Sequence, residues 1–97
     1  MIVKAWKGGT YGIYVGRTNA RKYFSFDWNH IEVEIDGKFH RFNLNSTFWT
    51  TCPEFRGFPI PDWLRLQGLT KWPGGKPPNF ELIPIESNKF RLLKGKT

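Results

Sequence analysis

Ninety-seven residues with fifteen Lys or Arg against eight Asp or Glu carry a formal charge of +7; that length holds one domain, over residues 1–97, with one core. No apolar run approaches the ~20 residues of a membrane-spanning helix, no signal peptide is expected from a start that carries Lys4, and the single Cys52 excludes an intramolecular disulfide framework or multi-cysteine zinc site and fits a reducing, cytoplasmic setting. Aromatic residues make up 18%, too many for a disordered basic tail, so the excess charge belongs to a folded body and implies an anionic partner.

Residues 2–6 alternate weakly and predict a strand, which Gly8-Gly9 breaks before β character resumes over 11–15 with Tyr11, Ile13 and Val15 on one face. Residues 17–24 contain no breaker and predict one short helix, with Thr18 as a candidate N-cap and Ala20, Tyr23 and Phe24 as its apolar side. Residues 30–35 alternate strictly, Asp36-Gly37 is a two-residue hairpin turn, and 38–44 return. A type I′ turn sets Ile35 opposite Lys38, Val33 opposite His40 and Ile31 opposite Phe42, and pairs Glu32 with Arg41 on the other face as opposite charges.

Residues 45–51 read as a β-prone segment, too polar for a core strand and ended by Cys52-Pro53. A loop bearing Gly57, Pro59 and Pro61 leads into a short helix over 62–67, with Pro61 near its first turn and Gly68 at C′. Residues 73–78 form a turn-rich loop, 80–85 and 89–93 a last hairpin across Glu86-Ser87-Asn88, and 94–97 a frayed tail. Trp63, Leu64, Leu66 and Leu69 are core candidates, Trp72 is structural, and His40 lies on the core face. The expected class is mainly β with two short helices: six or seven strands in a small open β-barrel, because closure removes exposed edges.

Charge is sorted along the chain. Residues 1–26 hold Lys4, Lys7, Arg17, Arg21 and Lys22 and no acid, whereas 27–37 hold Asp27, Glu32, Glu34 and Asp36 and no Lys or Arg. Aromatics interleave the first group, a pattern that suits nucleic acid; a membrane surface would favour a long basic amphipathic helix, and none is expected. The alternative is an ordinary solvated basic face.

The stretch Ile13-Tyr14-Val15-Gly16-Arg17, followed by a basic helix ending Arg21-Lys22-Tyr23-Phe24, resembles the opening of the DNA-binding pseudobarrel fold. That family includes the plant B-three transcription-factor domains and the related DNA-recognition domains of some bacterial restriction endonucleases. The hairpin over 31–42, closing on Gly37-Lys38, the polar segment after it, the helix around Trp63-Leu64-Arg65-Leu66-Gln67-Gly68-Leu69 and the glycine turn before the last strands extend the likeness over roughly residues 10–85. Gly16 stands where the family often has proline, and 52–61 has no obvious counterpart in it. The first 38 residues also resemble AbrB-type swapped-hairpin domains, but those are much shorter, and the length here favours the pseudobarrel.

The resemblance implies a grip on the DNA major groove by two arms, here 7–22 and 45–56. In the first, Lys7, Thr10, Tyr11 and Tyr14 accompany Arg17, Arg21 and Lys22, which would neutralise phosphates, while Arg17 alternatively reads guanine through O6 and N7. Thr18 and Asn19 contact a phosphate or base edge, or Thr18 only caps the helix. In the second, Asn45, Ser46, Thr47, Thr50 and Thr51 offer donors and acceptors to bases and phosphates, or form a plain solvent-facing edge. Trp49 touches DNA or sits in the core. Arg56 and Glu54 read guanine and cytosine, or form a loop salt bridge.

Cys52 with His30 or His40 lacks a nucleophile context, Asp36-Gly37-Lys38 is better explained as a turn than as a nuclease element, and no phosphate loop or metal-ligand cluster is present. No enzyme activity, cofactor or metal is therefore expected. The expected function is sequence-specific binding of double-stranded DNA, as a stand-alone regulator or as the recognition module of a restriction-type system with a nuclease or regulatory partner. The alternatives are an RNA- or single-strand-binding barrel, or a protein–protein adaptor whose basic face is incidental.

Overall fold

The computed structural model describes residues 1–72 and 74–94. In chain order it contains β1 (Ile2–Gly8), β2 (Thr10–Tyr14), α1 (Arg17–Tyr23), β3 (His30–Ile35), β4 (Lys38–Asn43), α2 (Thr47–Thr50), β5 (Glu54–Arg56), α3 (Ile60–Leu66), β6 (Asn79–Glu86) and β7 (Lys89–Leu93). All seven strands join one sheet in the order β4-β3-β7-β6-β1-β2-β5. Every neighbouring pair is antiparallel except β3 with β7, which run parallel. The two edge strands face each other without a ladder, and the Phe42 ring of β4 lies 4.8 Å from the Phe55 ring of β5. The fold is thus mainly β, a nearly closed seven-stranded barrel-like sheet.

The inward side chains alternate along the strands as period-2 patterning requires: Val3 and Ala5, Ile31, Val33 and Ile35, Phe80 and Leu82, Phe90 and Leu92 are all buried. The helices close the two mouths. Phe24, just after α1, stacks on Phe90 at 4.7 Å and packs against Phe48 of α2 at 5.2 Å, so α1 and α2 share one end. Trp63 of α3 lies 4.8 Å from Phe80 at the start of β6, which puts α3 at the other. Leu69 donates to the Leu64 carbonyl and Gly68 to that of Arg65, the paired bonds that finish a helix at a C′ glycine. No helix among the described residues is long and apolar enough to cross a membrane.

The central hairpin has the expected register throughout, from Ile35 opposite Lys38 to Ile31 opposite Phe42. Asp36 and Gly37 both take positive φ, 51° and 84°, as a type I′ turn demands. Across it, however, Arg41 donates to Asn43 rather than pairing with Glu32, and the ion pair on this face joins Glu34 to Arg91 of β7. A third helix replaces the β-prone segment: α2 forms because Thr51 and Cys52 both donate to the Thr47 carbonyl at 2.9 Å. One helical turn satisfies these backbone groups locally and buries Phe48 completely, which outweighs the β preference of Thr, Phe and Trp.

The loop expected after Pro53 contains a strand, β5, whose Phe55 turns into the core between buried Glu54 and exposed Arg56. Gly12, opposite Arg56 on β2, permits this approach, since a Cβ there would lie 2.7 Å from the Phe55 carbonyl oxygen. The second predicted helix begins earlier, at Ile60, and Leu66 is 86% exposed instead of buried, because α3 presents only Ile60, Trp63 and Leu64 to the core. Pro73 of the turn-rich loop and 95–97 of the expected tail lie outside the described residues.

Phe90→Ala should lower unfolding free energy by about 3–5 kcal/mol in urea titration, as for other fully buried phenylalanines. Leu66→Ala should stay within about 0.5 kcal/mol of the parent, as expected of an exposed side chain.

Candidate nucleic-acid interface

Gly16 sets the geometry of the first arm. It is the N-cap of α1 at φ 88° and ψ 156°, and its carbonyl accepts from Ala20. Proline, locked near φ −65°, cannot adopt that conformation, which explains the glycine at this position. The Val15 and Gly16 amides both donate to the Pro53 carbonyl, at 2.8 and 3.2 Å, and so fasten the start of α1 to the chain entering β5. Thr18 lies inside the helix and does not cap it.

Beyond this junction the two arms touch. Arg17 Nη2 donates to the Thr50 carbonyl at 3.3 Å, from an exposed position. Arg17, Thr18, Arg21 and Lys22 are exposed on α1, and Asn45, Ser46, Thr47, Thr50 and Thr51 are exposed on and around α2. The hydroxyls are partly oriented: Thr47 donates to the Asn45 side-chain oxygen at 2.6 Å, and Thr50 donates to the Ser46 carbonyl at 3.3 Å. The result is a row of cations beside a row of hydroxyls with no carboxylate in either element.

Several expected contact residues are engaged elsewhere. Asn19 donates its amide to the carbonyls of Ile2 and Val15, at 2.9 and 3.0 Å, and so ties α1 to the start of β1. Lys7, Thr10 and Tyr11 sit at the turn of the β1–β2 hairpin, whereas α1 leaves from the opposite end of β2; antiparallel pairing therefore separates them from Arg17 by the length of the strand. Tyr11 donates its hydroxyl to the Thr70 carbonyl at 2.7 Å and packs edge-on against Trp72, with Lys7 over its ring. Tyr14 is half-buried opposite Glu54.

Glu54 cannot read cytosine, because it is 5% exposed and held by Arg56 Nε and Nη2 at 3.2 and 3.0 Å. Arg56 also donates to the Gly8 carbonyl at 2.9 Å and lies 4.8 Å from the centre of the Trp6 ring. Its guanidinium is thus committed to the outer face of the sheet. The pair lies on a strand and one member is buried, so it differs from the exposed loop salt bridge that sequence allowed. Cys52, alongside, has its thiol pKa pushed upward, first by burial and then by the Glu54 carboxylate, against a smaller opposing pull from Arg56.

A residue outside the expected arms completes the surface. Phe26 is 77% exposed and stacks on Trp49 at 4.2 Å and 21°. Trp49 in turn packs edge-on against buried Phe48, so it is anchored in the core while its outer side supports Phe26. The sequence carries no signal for an outward Phe26, since in extended chain the spacing Phe24-Ser25-Phe26 would put both rings on one side.

Against known proteins, the chain matches no family model, no curated protein and no solved structure. Among the described residues no group of three or more His, Cys, Asp or Glu side chains is placed to hold a metal ion.

Arg56→Ala should destabilise the fold by about 3 kcal/mol in urea titration, near the lower end for breaking a buried pair because the guanidinium is partly solvated. Adding Glu54→Gln should recover much of that loss, since no buried carboxylate is then left without its partner. Because the upward shift lowers the thiolate fraction of Cys52 below that of an ordinary thiol, iodoacetamide should modify it more slowly than an unhindered thiol. Glu54→Gln should speed that reaction.

Proposed function

We propose that this protein binds double-stranded DNA with sequence preference, through the end of the barrel where α1 and α2 meet. The observation that carries this reading is the Arg17–Thr50 contact, which draws an acid-free basic helix against a set of exposed hydroxyls. Arg17, Arg21 and Lys22 would neutralise phosphates and release condensed counterions, which supplies affinity without sequence information. Ser46, Thr47, Thr50 and Thr51 would present donors and acceptors to base edges, which supplies the preference. The Arg17 bond to Thr50 is long and solvent-exposed, so its guanidinium can exchange that carbonyl for a guanine edge or a phosphate at little cost.

The resemblance of the sequence to pseudobarrel DNA-recognition domains supports the same two segments, now restricted to 17–22 and 45–51. The role would be that of a stand-alone regulator or of the recognition module of a restriction-type system. A duplex is favoured over stacking along the first arm, because Tyr11 is engaged with Thr70 and Trp72 and Tyr14 is half-buried, while the cations and hydroxyls of 17–22 and 45–51 suit phosphates and base edges.

Selection from a randomised duplex library should enrich a defined site, and single-stranded competitors should displace the protein poorly. No enrichment together with equal binding to single strands would sink the reading. Arg17→Ala, Arg21→Ala and Lys22→Ala should each reduce the slope of log K against log salt by about 1, while Lys7→Ala should leave it nearly unchanged.

A further inference from the structure

Phe26 and Trp49 form an aromatic shelf that phosphate contacts do not explain. One side of the Phe26 ring is covered by the Trp49 indole at 4.2 Å, and the residue remains 77% exposed. The shelf is the outermost step of a continuous series of rings. Trp49 meets Phe48 at 5.2 Å, Phe48 meets Phe24 at 5.2 Å, and Phe24 stacks at 4.7 Å on Phe90, which is fully buried in the core. Each ring limits the motion of the next, so Phe26 is held in place before any ligand arrives and loses little freedom on binding.

The surroundings select the occupant. Trp49 precedes Thr50, the residue whose carbonyl holds Arg17, so the shelf borders the proposed DNA surface. Asp27 follows Phe26 and is exposed, its amide donating to the Ser25 hydroxyl. A carboxylate at this point disfavours a phosphate directly on the shelf and leaves the ring to a neutral, planar group. Beside a line of bound phosphates, the planar group within reach is a nucleobase, and a paired, stacked base does not offer its face.

Resting on the DNA-binding reading above, we infer that Phe26 stacks against a base unstacked from the bound duplex, at a step kinked or opened beside the two arms. Apolar side chains that take this role bend the duplex and favour easily unstacked steps, so the shelf adds a preference for deformable sequence to the readout by hydroxyls. Stacking of a base on an aromatic side chain is worth about 1–3 kcal/mol, which corresponds to about 5- to 150-fold in affinity.

The test uses the tightest duplex from the selection, with 2-aminopurine substituted at each position in turn and binding followed in parallel by anisotropy. One position should brighten several-fold on saturation with the parent protein. Phe26→Ala should abolish that rise and weaken duplex binding at least 5-fold with its salt slope unchanged. Phe26→Tyr should retain the rise. Tight duplex binding with no brightening at any position, or brightening that survives Phe26→Ala, overturns the stacking role while leaving the DNA reading intact. Absence of salt-dependent duplex binding overturns both. Tighter, Phe26-dependent binding to the single strand assigns the shelf to an unpaired polymer and overturns the duplex version.

Discussion

At the seam of the sheet β4 and β5 share no ladder, and the Phe42 ring rests against Phe55 at 4.8 Å. Most of the remaining architecture depends on that approach. Were the two edges apart, the apolar lining between them would face water. With them together, residues 44–53 must cross the seam at the barrel mouth to connect one edge with the other, and α2 is the form that crossing takes. Because β5 pairs with β2, the same mouth receives the chain leaving β2, and α1 starts beside α2 with the Val15 and Gly16 amides just before it on the Pro53 carbonyl. The surface proposed to meet DNA is therefore a consequence of closure.

Polar side chains divide into those that hold this arrangement and those left free by it. Asn19 anchors α1 to β1, and Arg56 neutralises buried Glu54 while bridging to Gly8 and Trp6. Each has the donors that nucleic acid recognition uses, and each has satisfied them internally. Leaving a buried group without its partner costs more than the pair contributes, so such residues are held firmly in their structural roles. Arg17, Arg21, Lys22 and the hydroxyls around α2 are under no such obligation. Behind them, the aromatic series from Phe90 to Phe26 gives the mouth a rigid base.

The register of the central hairpin was legible from sequence, because strict alternation with a two-residue Asp-Gly turn determines it locally, whereas the expected Glu32–Arg41 ion pair did not form. Also legible were the glycine end of α3 and the final hairpin, each marked by breakers, and the span of α1, though its cap is Gly16 and not Thr18. The segment over 45–51 was misread because Thr, Phe and Trp favour strands on average, while the choice here turned on burying Phe48 and satisfying backbone amides in a short crossing. Strand β5 was missed because three residues after a proline carry no periodic signal. Leu66 was assigned to the core from its type, although α3 packs through a stripe too narrow to include it.

For the candidate site, residue type identified which side chains have suitable chemistry, and the acid-free stretch over 1–26 located the charge. Whether those side chains are free was decided by contacts between residues distant in the chain. Glu54 and Arg56 are two apart and could be paired on paper, but burial of the carboxylate follows from the position of β5 against β2. Lys7 and Arg17 belong to one basic segment and lie at opposite ends of a strand pair. The sequence by itself determined the alternating core, the turns and the excess of positive charge, since these depend on local sterics and composition. Only the tertiary structure decided which charges share a surface, because that depends on how the sheet closes and on which donors closure has already used.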